Sequence, residues 1–358
     1  MIDIREERQK EFSNIIAKTL FTGIYVISPR VGKTKITIDS LRGIGNNWNI
    51  LIGTPRETIN MTWKFELAKW NSDISPEIFC IKSLKKYKDV RPDLLIIDEC
   101  QVLSANQIKL IKEIRPKRLL LLTGTLRDTR CNLLKSEFKL EKHINYTIDE
   151  AISDGIIADY EINIITVELT KDEKAIYNYM TNKYNYLLEQ SMQNSNYNVA
   201  KNVQARKRMF NVYNTKSKVE SVREFIGNLK ERFILFSAYS TISFDLLPES
   251  SFNSINKRYD RLEAFMNEEA NSLGVIKMVD FGVTFPNLKI GIIQQIQTNE
   301  ELFLQRALRC CNLDKDGRIA KIYIFVCKDT VDEKWLAQAL KNVKKERIKY
   351  MEKNFEYK

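Results

Sequence analysis

The chain has 358 residues, 44% of them hydrophobic, enough for two domains with cores of their own. Fifty-seven lysines and arginines against 46 aspartates and glutamates leave a net charge of +11 and a pI near 9.2, a balance that favours a polyanionic partner. The longest leucine run, 119–122, is too short to span a bilayer, and one histidine with six cysteines lacking a C-x-x-C pair excludes a zinc set or a His-based dyad or triad. The N-terminal residues 1–7 are charged from the start, unlike a signal peptide, so a soluble, cytoplasmic protein with reduced thiols is expected.

In chain order, the apolar run Gly23 to Ile27 reads as a buried parallel strand, followed by the loop Ser28-Pro29-Arg30-Val31 and a helix opening at Lys33. Further strands are expected at Ile50 to Thr54, Ile78 to Ile81, Leu94 to Asp98 and Arg118 to Thr123. Between them, Ile59 to Trp70 and Ala105 to Ile114 suit crossover helices. This alternation predicts a doubly wound parallel α/β sheet over residues 1–146. Thr147 to Tyr160 leads out of it, and Thr170 to Lys230 reads as long helices interrupted at the asparagine-rich stretch Gln193 to Asn198, so 147–230 is assigned to a connector and helical, basic segment. Strands resume at Phe233 to Ser237, Ser254 to Asn256, Val275 to Val279, Ile290 to Gln295 and Lys321 to Val326. A basic tail from Asp332 to Lys358 is expected to be helical, completing a second α/β domain over 231–358.

Two motifs in the first domain carry chemistry together. Gly32-Lys33-Thr34 stands between a strand and a helix N-terminus, where backbone N–H groups and the helix dipole converge on a phosphate. Lys33 can reach the β- and γ-phosphates, and the Thr34 hydroxyl can ligate Mg²⁺. Asp98-Glu99 ends a second buried strand, whose C-terminal end faces the same crevice in a parallel sheet. Asp98 would hold the Mg²⁺ through water and Glu99 would polarise the attacking water. The loop departs from the G-x-x-x-x-G-K-T pattern in having Ile27 at the first glycine and Arg30 at a site often small. The reading is nonetheless a nucleotide-binding protein.

The remaining motifs follow in a defined order. Arg5 to Gln9 precedes the first strand; Thr54-Pro55-Arg56 ends the second, with Trp63 and Glu66 on the next helix; Thr123-Gly124-Thr125 follows the acidic pair. In the second half come Gly282-Val283-Thr284, Gln305-Arg306-Ala307-Leu308-Arg309, and Lys321 to Phe325 with Asp329 to Glu333. From Gln9 to about Trp335 this set resembles the superfamily 2 helicases and translocases, most closely phage-type DNA helicases and the ATPase cores of restriction and chromatin-remodelling translocases. The acidic motif reads Asp98-Glu99-Cys100-Gln101 where that family typically shows D-E-x-H.

The resemblance implies two RecA-like lobes with ATP and Mg²⁺ bound between them. Gln9 would read the adenine edge, and Pro29, Arg30, Val31, Gly32, Lys33 and Thr34 would cradle the phosphates. Gln101, Gly282, Gln305 and Arg306 would complete or couple the nucleotide site, and Arg309 would supply the charge that stabilises the transition state. Thr123 and Thr125 would link hydrolysis to lobe movement, and Thr54, Arg56 and Thr284 would contact the nucleic-acid backbone. Two positions depart from the pattern: Leu308 replaces a glycine, and Asn312 replaces a second arginine.

The basic stretch Lys201, Arg206, Lys207, Arg208, Lys216 and Lys218, with Phe210 and Tyr213 among them, reads equally as a nucleic-acid track or as a solvated helix face. Trp63 and Trp70 lie seven residues apart and read as core packing. His143 has no assigned role. Taken together the sequence predicts an ATP-dependent DNA helicase or translocase, plausibly monomeric. A nucleotide-gated nucleic-acid clamp with weak catalysis stays open because of Asn312 and Ile27, and an RNA helicase because both classes share these motifs.

Overall fold

The computed structural model describes residues 3–44, 47–70, 74–252, 258–276, 285–296, 303, 306–311 and 317–351. The chain divides into two compact units, Met1–Ile157 and Ala158–Lys358.

The first unit is built on a six-stranded sheet ordered β3-β2-β4-β5-β1-β6 in space, with every pairing parallel. The strands are β1 (Gly23–Ile27), β2 (Ile50–Thr54), β3 (Glu77–Cys80), β4 (Leu94–Ile97), β5 (Leu119–Thr123) and β6 (Lys142–Tyr146). Every residue of β1, β2, β4 and β5 is buried, as continuous apolar runs require when helices cover both faces of a parallel sheet. The helices are α1 (Ile4–Lys18), α2 (Lys33–Ser40), α3 (Glu57–Trp70), α4 (Ala105–Ile114), α5 (Asp128–Phe138) and α6 (Ile148–Ser153). Register sets Val26 beside Thr123 and Gly53 beside Ile97, so the segments that follow β1, β2, β4 and β5 leave the sheet at one edge. β6 was not foreseen; its alternating burial marks a short edge strand, too polar to announce itself by an apolar run.

The second unit holds a seven-stranded parallel sheet, ordered β13-β7-β12-β11-β8-β10-β9. Its strands are β7 (Tyr160–Val167), β8 (Phe233–Phe236), β9 (Ser251–Phe252), β10 (Ser272–Val275), β11 (Ile290–Ile293), β12 (Ala320–Cys327) and β13 (Ile348–Met351). The helices with fully described bounds are α7 (Lys171–Gln193), α8 (Asn198–Tyr213), α9 (Lys216–Asn228), α10 (Ser240–Leu246), α11 (Tyr259–Met266) and α12 (Val331–Ala339). Phe225 of α9 packs against Tyr323 and Phe325 at the centre of the core.

Three expectations change here. Tyr160 to Val167, read as part of a connector, is a full-length partner of β12, from Tyr160 opposite Ala320 to Val167 opposite Cys327. Among the described residues the tail is α-helical over α12 and makes a short 3-10 turn at Lys345–Arg347; β13 then adds to the other edge of β7, where unpaired backbone groups outweigh local helix propensity. Lys218, read as part of the basic stretch, is fully buried and its ammonium lies 2.5 Å from the equally buried Asp332 carboxylate. Asp332 also accepts from the Cys327 N–H at 3.1 Å, which ties α12, α9 and the end of β12 together. The expected strand at Ser254 to Asn256 lies outside the described residues, and β10 begins three residues before its expected start at Val275, whose continuation to Val279 also lies outside them.

Candidate nucleotide-binding site

The loop after β1 is held from inside. Ser28 is fully buried and its N–H donates to the Tyr146 carbonyl at 2.9 Å, while Val31 is fully buried beneath the turn. Pro29 sits at the turn, and Arg30 takes a left-handed φ of 69°. Gly32 follows with φ 102° as the residue preceding α2. A Cβ on Gly32 would stand 2.6 Å from the Gln9 Nε2, so the backbone geometry favours glycine and a side chain there would displace the Gln9 amide. Gln9, buried on α1, donates its amide to the Val31 carbonyl at 2.7 Å and so clamps the loop. α2 starts directly at Lys33, leaving the N–H groups of its first turn without intrahelical partners, the arrangement that binds phosphate. Thr34 stands half-buried in that first turn.

The acidic pair reaches the same point from β4. The Lys33 ammonium lies 3.4 Å from a Glu99 carboxylate oxygen, and both side chains are largely buried. Gly124, after β5, leaves the room for this: a Cβ there would fall 2.9 Å from Pro29 and 3.3 Å from the Lys33 Nζ. Glu99 itself adopts a left-handed φ of 52°, a strained conformation for a residue with a Cβ and of the kind that collects at functional sites. Asp98 is buried; one oxygen accepts from the Glu99 N–H at 2.9 Å and the other from the Trp63 indole N–H at 3.0 Å. Burial first, and the Glu99 charge second, push the Asp98 carboxyl up to about 6, against the pull of Lys33 and the Trp63 hydrogen bond.

Gln101 joins these groups to the neighbouring strand. Its amide N–H donates to Glu99 at 2.8 Å, and its carbonyl accepts from the Thr123 hydroxyl at 2.7 Å. Thr123 in turn accepts from the Thr125 N–H at 3.2 Å. An amide serves this bridge because it donates and accepts at once, and it does so without a titrating group. Among the described residues no group of three or more His, Cys, Asp or Glu side chains is placed to hold a metal. One buried, charge-starved carboxylate and one helix-start hydroxyl instead fit a Mg²⁺ that takes its remaining ligands from water and phosphate oxygens.

The contact of Trp63 with Asp98 is one that sequence reasoning missed. Fully buried on α3, Trp63 packs as expected but also orients Asp98, and no spacing rule distinguishes the two roles. Thr54, expected on the nucleic-acid backbone, is fully buried, and its hydroxyl engages the Arg56 carbonyl at 2.9 Å and the Asn60 side chain, closing the start of α3. Arg56 is half-buried beside it. In the second unit Arg306 is buried, its guanidinium 5.7 Å from the centre of the Phe236 ring. The backbone of Arg309 lies in a short 3-10 turn, Leu308–Cys310. Gln305, Gly282, Thr284 and Asn312 lie outside the described residues. Arg206 is exposed on α8, and Lys216 is exposed at the start of α9, 3.6 Å from Glu220. No helix among the described residues is long and apolar enough to cross a membrane.

No known family's sequence profile matches this chain, and no curated protein does. Among solved structures it is similar to S. cerevisiae Dbp5 bound to RNA and ADP BeF3, with a TM-score of 0.63, 11% identity, and coverage of 93% of this chain and 86% of that one. It is also similar to the ATP-dependent Type ISP restriction-modification enzyme LlaBIII bound to DNA, with a TM-score of 0.63 and 12% identity over 98% of this chain but 31% of that one. At such identity the likeness concerns fold alone: two RecA-like parallel-sheet domains in tandem. The expected fold class is met.

Proposed function

We propose that this chain is a nucleic-acid-dependent ATPase that couples hydrolysis to movement along, or unwinding of, a polymer, with DNA favoured as its track. The observation that carries the reading is the convergence of Lys33, Glu99 and Asp98 on the glycine-led start of α2 at one edge of a parallel sheet. Lys33 and the first-turn N–H groups bind the β- and γ-phosphates, Gln9 and residues 29–32 shape the loop, and Glu99 polarises the attacking water. Thr34 and Asp98 would hold Mg²⁺, which supplies charge neutralisation on the phosphates when bound. Gln305, Arg306 and Arg309 serve hydrolysis, Gly282 and Thr284 couple it to the polymer, and Arg56, Arg206 and Lys216 contact phosphates. The similar solved structures are bound to RNA in one case and to DNA in the other, so the nature of the track is decided by experiment.

The test is ATP hydrolysis by the whole chain, alone and with single-stranded DNA, duplex DNA or RNA, beside Lys33→Ala and Glu99→Gln. Both variants should lose polymer-stimulated turnover by at least about a hundredfold, and the stimulating polymer names the track. ATP-dependent polymer binding without turnover in the wild type would instead favour the clamp.

A further inference from the structure

α8 carries Lys201, Arg206, Lys207 and Arg208 and not one acidic residue. Arg208 is occupied, its guanidinium 4.3 Å from the centre of the Tyr184 ring on α7. Arg206 and Lys207 are exposed and pair with no carboxylate among the described residues. They edge a pocket of about 640 Å³ that also takes in Met180, Phe210, Asn211, Asn214 and Tyr239. Phe210 is 50% exposed at the pocket, with its ring 5.0 Å from that of Tyr239 and tilted to it by 71°. The Asn211 side-chain oxygen is buried and has no hydrogen-bond partner, an acceptor awaiting a donor.

We infer that this pocket takes an unpaired base of single-stranded nucleic acid, stacked on Phe210, with the flanking phosphates on Arg206 and Lys207. The inference rests on the proposed polymer dependence and adds to it where, and in what form, the second unit grips the strand. A half-exposed aromatic ring in a recess is complementary to a base withdrawn from its stack, whereas the bases of a duplex are already stacked on one another. The neighbouring pocket, which shares Asn214, has no aromatic side chain among its lining residues, and its Arg223 already faces Asp245 at 2.7 Å.

Single strands carrying 2-aminopurine, and matched duplexes, are titrated into the full-length wild type, Phe210→Ala, Phe210→Trp and Arg206→Ala/Lys207→Ala. Phe210→Ala should weaken single-strand binding about tenfold and abolish the 2-aminopurine signal, leaving duplex affinity, salt dependence and basal ATP hydrolysis unchanged. Phe210→Trp should restore binding, and the double variant should flatten the salt dependence instead. Single-strand affinity unchanged in Phe210→Ala, or an equal loss for duplex and single strand, overturns the base pocket alone. Failure of the wild type to bind any polymer overturns the proposed function along with it.

Discussion

Asp98 is buried beside a second carboxylate, with one ammonium and one indole N–H to offset its charge, and this sets how the free site behaves with pH. Its carboxyl is raised to about 6, so the folded state holds the proton more tightly than the unfolded chain does. The stability this contributes is present below about pH 4 and is lost as the pH rises through about 6. Asp98→Asn should therefore melt higher than the wild type at pH 8 in EDTA, by an amount on the order of 2 kcal/mol, with the gap closing towards pH 4. A difference independent of pH would contradict the placement of Asp98. Trp63→Phe removes the donor and leaves a small cavity; urea unfolding should show a loss of about 1 kcal/mol or more, and, as the sign that the donor matters, the Mg²⁺ concentration for half-maximal turnover should rise. Unchanged Mg²⁺ dependence would leave Trp63 a packing residue only. Gln101, by contrast, bridges Glu99 and Thr123 without a titrating group and adds no pH dependence of its own.

At the scale of elements, legibility followed locality. The turn from β1 through Gly32 into α2, and the acidic pair after β4, are written in adjacent residues whose geometry is determined by short-range rules, and both could be read directly. β7 could not: its apolar run suits a buried strand or a buried helix equally, and its partner β12 begins 160 residues later. The Trp63–Asp98 contact spans 35 residues and leaves no trace in spacing. The Lys218–Asp332 pair belongs to the same class, a charge two residues from the exposed Lys216 but whose own position on α9 faces the core. Removing one partner should be costly and removing both mild, because it is the unpaired buried charge that destabilises. Lys218→Met alone should lower stability by about 3–5 kcal/mol, and Lys218→Met with Asp332→Leu should recover most of it in urea unfolding. Equal losses in the two would show that the pair is not buried as described.

For the whole molecule, a net charge of +11, two RecA-like domains and the meeting of Lys33 with Glu99 at the start of α2 fit the proposed account, in which nucleotide turnover answers to a polyanion. The fold alone is shared by proteins bound to different nucleic acids, and charge alone serves many basic proteins; the residues at the start of α2 and the end of β4 give the combination its chemistry. The most direct measurement is the steady-state rate of phosphate release by the wild-type chain as nucleic acid is titrated at saturating ATP and Mg²⁺. The account predicts a slow basal rate that rises to a plateau with one polymer and stays flat in Lys33→Ala. A rate indifferent to DNA and RNA alike, or stimulation that survives Lys33→Ala, would contradict it.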